Sequence, residues 1–359
     1  MKHIIFYVNS MCPAGGIERV VATLANELCK DNKVTLLVKD KCESFYYIDS
    51  AITINTIGTY RKLDMNSRFN RIQSLLSSFI LSVNSLKMYL TKTEFDYIYV
   101  TNPLSFWEAY FTFKCRNKII ASEHGSRLNY NFIYRLLKVG YKLSHCYSIP
   151  TRLDFEYYYT NGYPAAYVPH LRPKLDYKIT DISQKNVINI GRFTSDKRQL
   201  LLLEIWSNIL KKNSSLRDWT LILVGTGELE QEINNKINGL NILDRVKVIP
   251  PQEDVRNLYT SASIFALTSS SEGFGMVLLE ALSFGLPVIS FDCPSGPRDI
   301  IENNVDGILV SDDNVIEYES SLSKLMSNYT LREKMSHLGF HKAKNWNSHQ
   351  VGNKWKEIL

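Results

Sequence analysis

The chain has 359 residues, 45% hydrophobic and 22% charged, with a formal net charge of +6. That length exceeds what one hydrophobic core organises, so two domains are expected, and the composition excludes a disordered or fibrous chain. The cysteines, Cys12, Cys29, Cys42, Cys115, Cys146 and Cys293, are scattered without a C-x-x-C pair, which argues against a disulfide frame or a zinc site and for reduced thiols in a cytoplasm.

Charge is uneven along the chain. Residues 1–170 hold twenty Lys and Arg against thirteen Asp and Glu, whereas the remainder holds twenty-two against twenty-three. A basic face suits nucleic acid, anionic lipid or an anionic acceptor. With no zinc-finger spacing, RNP-like aromatic pattern or dense Lys/Arg tract, nucleic acid ranks last and is not expected as a partner. No apolar run reaches transmembrane length, and the first one, Ile4-Ile5-Phe6-Tyr7-Val8, is too short for a secretory signal and reads as a strand.

That strand, over residues 3–8, feeds a loop ending in Gly15-Gly16 and a helix over 17–28 with Val20, Val21, Leu24 and Leu28 as its buried stripe. Adjacent glycines before a helix let a ligand approach backbone N–H groups. The spacing is not G-x-G-x-x-G, so no nicotinamide cofactor is implied. A strand over 34–38 follows. From 68 to 92, Ile72, Leu75, Leu76, Phe79, Ile80, Val83 and Leu86 recur at helical spacing between Arg68, Arg71, Lys87 and Lys92. Packing on a sheet accounts for the pattern; a membrane-surface helix would share it, and packing is preferred because amphipathicity is the norm for surface helices.

Strands over 97–100 and 118–121 come next, the latter ending at Ser122-Glu123-His124-Gly125. His124 therefore stands at the carboxyl end of a strand, where open parallel sheets bind ligands. Residues 129–145 interleave Tyr130, Phe132, Tyr134, Arg135, Lys138, Tyr141 and Lys142. They fit an interfacial membrane contact, a carbohydrate surface or a packed helix with solvated lysines equally well.

Between 163 and 184 the pattern loses period and collects Pro164, Pro169 and Pro173, which marks a boundary. The first domain is expected over 1–170, a hinge over 171–184, the second domain over 185–340 and a closing helical segment over 341–359. A second strand-helix series opens at 187–190 and runs into Gly191-Arg192-Phe193-Thr194-Ser195-Asp196-Lys197. Arg192 and Lys197, a planar fork and a point charge at a strand end, suit a diphosphate. Strands over 219–224, 246–249 and 264–267 follow.

Residues 268–290, TSSSEGFGMVLLEALSFGLPVIS, organise the rest. With a helix opening at Gly275, Met276, Leu279 and Leu282 recur near its period. Glu272 precedes that helix and Glu280 lies two turns on, so both can address one elongated polar ligand. The N–H groups of Phe274, Gly275, Met276 and Val277 would meet its phosphate. No Asp-x-Asp pair occurs in the chain, so no bridging metal is expected.

This spacing, Glu-x7-Glu behind Gly273-Phe274-Gly275 and ahead of Gly285-Leu286-Pro287-Val288, resembles the retaining GT-B glycosyltransferases of family 4, the glycosyl transferases group 1 of bacterial surface-polysaccharide synthesis. The resemblance implies an α/β, GT-B fold: two Rossmann-like, doubly wound parallel-sheet domains facing across a cleft, with a C-terminal helix crossing back to the first. It implies an acceptor-binding first domain and a nucleotide-sugar-binding second one. Glu272 would bind the donor sugar's hydroxyls and Glu280 the ribose, while Arg192, Lys197 and the turn amides hold the diphosphate. Gly15 and Gly16 would face the donor, and His124 would lie near the sugar. Where many members carry an Asn-centred turn, this chain has Pro169-His170-Leu171.

The reaction implied is transfer of a hexose or N-acetylhexosamine, with retention, from a nucleotide sugar expected to be UDP-linked. The expected partners are that donor and a glycan or lipid-linked glycan acceptor, without cofactor or metal. The place is the cytoplasm, with peripheral contact between the basic first domain and the anionic inner membrane. The alternatives are an inactive GT-B subunit binding glycan or partner, or a GT-B epimerase or phosphorylase. Intact Glu272, Glu280, Arg192 and Lys197 argue against the inactive subunit, and no cofactor lysine for a phosphorylase is identifiable.

Overall fold

A computed structural model describes residues 1–60 and 68–359. The chain divides into two compact units, one formed by Met1–Leu171 with Ser348–Leu359, the other by Arg172–Asn347. Residues 172–184, expected as a hinge, and residues 341–347, expected in the closing segment, thus belong to the second unit.

In the first unit the elements are β1 (His3–Val8), α1 (Gly16–Leu28), β2 (Lys33–Val38), β3 (Thr53–Thr56), α2 (Arg68–Thr91), β4 (Tyr97–Val100), α3 (Pro103–Phe111), β5 (Ile119–Ser122), α4 (Phe132–Lys138), β6 (Cys146–Ile149), α5 (Arg152–Thr160) and β7 (Ala165–Tyr167). All strands are parallel, in the order β3-β2-β1-β4-β5-β6-β7. β1 is buried on both faces from Ile4 to Val8, as a central parallel strand covered by helices must be. Its Ile5 pairs in register with Thr35 on one side and Ile98 on the other. Tyr7, Val100, Phe106, Ala121, Tyr141 and Tyr147 are among the residues of the core on one face.

The second unit runs β8 (Asn186–Ile190), α6 (Gln199–Lys212), β9 (Thr220–Val224), α7 (Glu230–Gly239), β10 (Val246–Ile249), α8 (Arg256–Thr260), β11 (Ile264–Leu267), α9 (Met276–Ser283), β12 (Val288–Phe291), α10 (Pro297–Ile300), β13 (Gly307–Val310), α11 (Val315–Ser327) and α12 (Tyr329–Ala343). Its parallel order, β10-β9-β8-β11-β12-β13, is the doubly wound Rossmann-type arrangement, as is that of the first unit around β1. The last helix, α13 (Gln350–Ile358), belongs to the first unit. There Trp355 is buried against Tyr99 at 5.9 Å between rings, and the Tyr97 hydroxyl donates to the Leu359 carbonyl at 3.0 Å. Among the described residues no helix is long and apolar enough to cross a membrane.

Two expectations need correction. The α2 stripe packs only towards its C-terminal half: Leu86 and Leu90 are buried, whereas Leu76 and Ile80 are each 59% exposed. The side chains of Arg68, Arg71 and Ile72 lie outside the described residues. In segment 129–145 the reading of solvated lysines fails at Lys138, which is buried, because a buried carboxylate, Glu123, pairs with it.

Candidate functional site

In the second unit β8 and β11 are neighbours although the chain winds away from them in opposite directions, so their carboxyl-end loops flank the switch point of the sheet. Hydrogen bonds lace the two loops together. The Ser270 N–H donates to the Asp196 carbonyl at 2.8 Å, and the Thr268 hydroxyl donates to the carbonyls of Lys197 and Arg198 at 3.0 and 3.1 Å. This brings Lys197 Nζ to 2.7 Å from Glu272 Oε1, the oxygen that also accepts from the Ser269 hydroxyl at 2.6 Å. Asp196 stands 3.6 Å from the same ammonium. Burial alone would lower the Lys197 pKa, but the Glu272 carboxylate outweighs it and raises it, so the side chain is a fixed cation. Arg192 is exposed on the β8 loop, and its like charge acts against that rise in the Lys197 pKa.

Gly275 lies at φ +91°, a left-handed backbone that only glycine adopts readily, and turns the Glu272–Phe274 loop into α9. Leu278 and Leu279 donate their N–H groups to the Gly275 carbonyl at 2.9 and 3.3 Å. The amides of Gly275, Met276 and Val277 therefore precede the first N–H that donates within the helix, that of Leu278, while Phe274 itself is buried at 3% exposure. Gly296, at φ +69°, backs this turn: a Cβ there would sit 2.7 Å from the Phe274 carbonyl oxygen and 3.1 Å from Glu272 Cβ.

Burial in α9 extends beyond Met276, Leu279 and Leu282. Met276 and every residue from Leu278 to Ser283 are buried, and only Val277 is half-exposed. Glu280 is among the buried residues, 4% exposed, and its Oε2 accepts from the Tyr259 hydroxyl at 3.0 Å. The Tyr259 ring is held in place by stacking on Phe284 at 5.3 Å. Ser269, Tyr259 and Gly296 went unread from sequence. Pro294-Ser295-Gly296-Pro297 carried a turn signal, but nothing in it named the loop it would press against.

In the first unit the corresponding switch point lies between β1 and β4. A cavity of about 260 Å³ opens there, walled by Asn9, Ser10, Ile17, Glu18, Asn102, His124, Gly125, Tyr130 and Tyr134, with Val8 and Thr101. Gly15 caps α1 and Gly16 is its first residue, immediately before the wall formed by Ile17 and Glu18. His124 Nε2 lies 3.4 Å from the Tyr99 hydroxyl, and its ring stacks on His170 at 5.4 Å. The pairing with His170 was not anticipated; it comes from the Pro169-His170-Leu171 departure. Burial, helped by the Lys138 charge, pushes the His124 pKa down to about 3, so the imidazole is neutral at physiological pH.

Glu123 organises this wall. Its Oε1 accepts from the backbone N–H groups of His124 and Gly125 at 3.0 and 3.2 Å and from the Tyr130 hydroxyl at 2.5 Å, while Oε2 takes Lys138 and the Tyr147 hydroxyl. Burial would raise this carboxyl, but the ammonium and the hydroxyls hold it below the usual range. Lys138 also lies 3.8 Å from the centre of the Tyr130 ring. Of the residues expected in the site, the structure thus joins Lys197, Glu272 and the α9 turn in one unit, and sets His124 in a cavity of the other.

Two Rossmann-like parallel-sheet units, the second with a cation, a carboxylate and a helix N-terminus gathered at its switch point, make up a GT-B fold. Residues 178–341 match the family model described as glycosyl transferases group 1. The whole chain aligns with an uncharacterised glycosyltransferase of Haemophilus influenzae, 29% identical over 100% of both chains. It aligns equally fully with the amylovoran biosynthesis glycosyltransferase AmsD of Erwinia amylovora at 26% identity. Among solved structures, S. aureus TarM in complex with fondaparinux, alpha-GlcNAc-glycerol and UDP shares the fold with a TM-score of 0.83 at 14% identity, covering 100% of this chain and 99% of that one.

Proposed function

We propose that this glycosyltransferase moves a hexose or N-acetylhexosamine from a UDP-sugar to a lipid-linked glycan, with retention, in bacterial surface-polysaccharide synthesis. The observation that carries the reading is the meeting of Lys197 and Glu272 beside the α9 N-terminus. Breaking a sugar–phosphate bond builds negative charge on the departing diphosphate, and stabilising such charge is usually the largest catalytic contribution. The Met276 and Val277 amides, the α9 dipole, worth up to about 2 kcal/mol when partly buried, and the fixed charges of Lys197 and Arg192 supply that stabilisation. In this reading the cations belong to the protein and no metal is required. Once Lys197 turns to the diphosphate, Glu272 is released to grip sugar hydroxyls, which couples donor arrival to assembly of the sugar site. Glu280, oriented by Tyr259, takes the ribose.

The cavity of the first unit takes the acceptor, whose hydroxyls suit Asn9, Ser10, Glu18 and Asn102 and whose ring faces suit Tyr130 and Tyr134. The roles of Gly15, Gly16 and His124 towards the donor are carried over from the family resemblance. A lipid-linked acceptor is supported by a relative from Campylobacter jejuni, 25% identical over 99% of this chain and 98% of its own length, named as a galactosaminyltransferase acting on a PP-undecaprenol-linked glycan. A UDP donor is supported by TarM and by Anabaena HepE, whose structures hold UDP.

The test is nucleotide release from a panel of UDP-sugars, with and without lipid-linked glycan. Lys197→Ala and Glu272→Ala are each expected to slow release about 100-fold or more with an unchanged circular dichroism spectrum. Near-normal turnover in either variant removes that residue from the site, and no release from any donor by the parent chain rejects the enzyme.

A further inference from the structure

The first unit exposes large apolar side chains along a continuous band of three helices. On α2 these include Leu76 and Ile80, both 59% exposed; on α3, Phe111 at 45%; and on α4, Phe132 at 79%, Ile133 at 68% and Leu136 at 60%. Aromatic contacts join the helices. Phe79 of α2 meets Phe111 edge-on at 6.1 Å, Phe111 lies 5.7 Å from Trp107, and the Trp107 indole N–H donates to the Leu137 carbonyl of α4 at 3.0 Å.

Charge around the band is predominantly positive. Residues 68–145 contain eleven Lys and Arg against four Asp and Glu, which equals the whole charge excess of the first half of the chain. Two of the four acids, Glu108 and Glu123, are buried in ion pairs with Lys39 and Lys138. Of the other two, Asp96 accepts from the His3 N–H at 2.7 Å at the start of β1, and Glu94 is exposed. The surface bordering the apolar residues is left to Lys87, Lys114, Arg116, Arg135 and Lys142, all exposed. Two copies of the chain meeting through this band would bring like charges together, whereas an anionic bilayer complements both the apolar side chains and the cations.

We propose that the α2–α3–α4 face docks on an anionic phospholipid surface, with Phe132, Ile133 and Leu136 entering the headgroup boundary and the lysines and arginines meeting lipid phosphates. The segment that carries Phe132 and Ile133 outward also supplies Tyr130 and Tyr134 to the cavity wall. Docking therefore holds the cavity at the bilayer, where an acceptor borne on lipid enters without leaving the membrane. This last clause rests on the transferase reading; the docking does not.

The experiment is co-sedimentation of the full chain with vesicles of phosphatidylcholine alone or mixed with 30% phosphatidylglycerol, at 0.1 and 0.5 M salt. Binding at least tenfold tighter to the anionic vesicles and weakened by salt is expected. The variant Phe132→Ser/Ile133→Ser/Leu136→Ser and the variant Lys87→Glu/Arg116→Glu should each lose tenfold or more while UDP binding and circular dichroism stay as in the parent. Equal binding to both vesicle types, no binding to either, or binding unaffected by both variants overturns the proposal. Self-association abolished by the triple variant without vesicle binding would give the face to a second copy instead. Vesicle binding without nucleotide release would reject the transferase reading alone.

Discussion

Replacing Glu123 by Gln removes the charge that compensates Lys138 while leaving the volume unchanged. Both side chains are nearly fully enclosed, at 2% and 3% exposure, with Tyr130 and Tyr147 around them. Water cannot replace the lost partner, so the cost is that of an orphaned buried cation, about 3–5 kcal/mol. The neutral amide also places an NH2 group where the carboxylate accepted from the His124 and Gly125 amides and from two tyrosine hydroxyls. The second change, Lys138→Met, removes the orphan, and the double variant should recover most of the loss, since apolar replacements of buried pairs are often neutral or stabilising. Urea unfolding, read together with hydrogen exchange of peptides covering residues 119–149, measures both effects locally. A single substitution costing less than about 1 kcal/mol, or a double variant as damaged as the sum of the singles, would refute the assignment of this pair as the brace of the cavity wall.

Two further outcomes follow from the same geometry. His124 and His170 are both held below the ordinary histidine pKa, by burial first and then by neighbouring positive charge, so the unfolded chain binds protons before the folded one. Stability should therefore fall as pH drops below about 6.5, by about 2 kcal/mol per histidine at pH 5, and His124→Asn/His170→Asn should flatten the urea midpoint across that window; a midpoint independent of pH would contradict the burial. Gly275→Ala forces a Cβ into the left-handed region, costing about 1–2 kcal/mol and tilting the first-turn amides, so donor KM should rise severalfold; unchanged KM would show that the amides do not meet the donor.

The parts of the molecule that were legible in the sequence are those where local pattern and fold agree. Residues 268–290 read correctly as loop, helix and strand because Gly275 and Pro287 punctuate them, and Arg192 and Lys197 stood out because a β-branched strand runs straight into them. What stayed hidden depends on distant partners. Nothing in residues 129–145 marks Lys138 as buried, since its carboxylate sits fifteen positions earlier behind a strand end. His170 looked like a departure from a family turn, and its role as the face on which His124 stacks arises only when β5 and the end of the first unit come together. β3 was missed because its TINT sequence is short, polar and partly exposed. α3 did announce itself, through Asn102 as cap and Pro103 as first residue, a helix start that went unread.

The route of the chain through its two units has a consequence for how the protein is made. Residues 172–347 interrupt the first unit, and α13, which closes over Tyr97 and Tyr99, is translated only after all of them. The first unit is thus completed only after the second has been made, and until α13 emerges its sheet lacks the cover provided by Trp355. The inserted unit, whose two ends are pinned by the Arg172 N–H donating to the Trp346 carbonyl at 2.8 Å, has everything it needs to fold while its host waits.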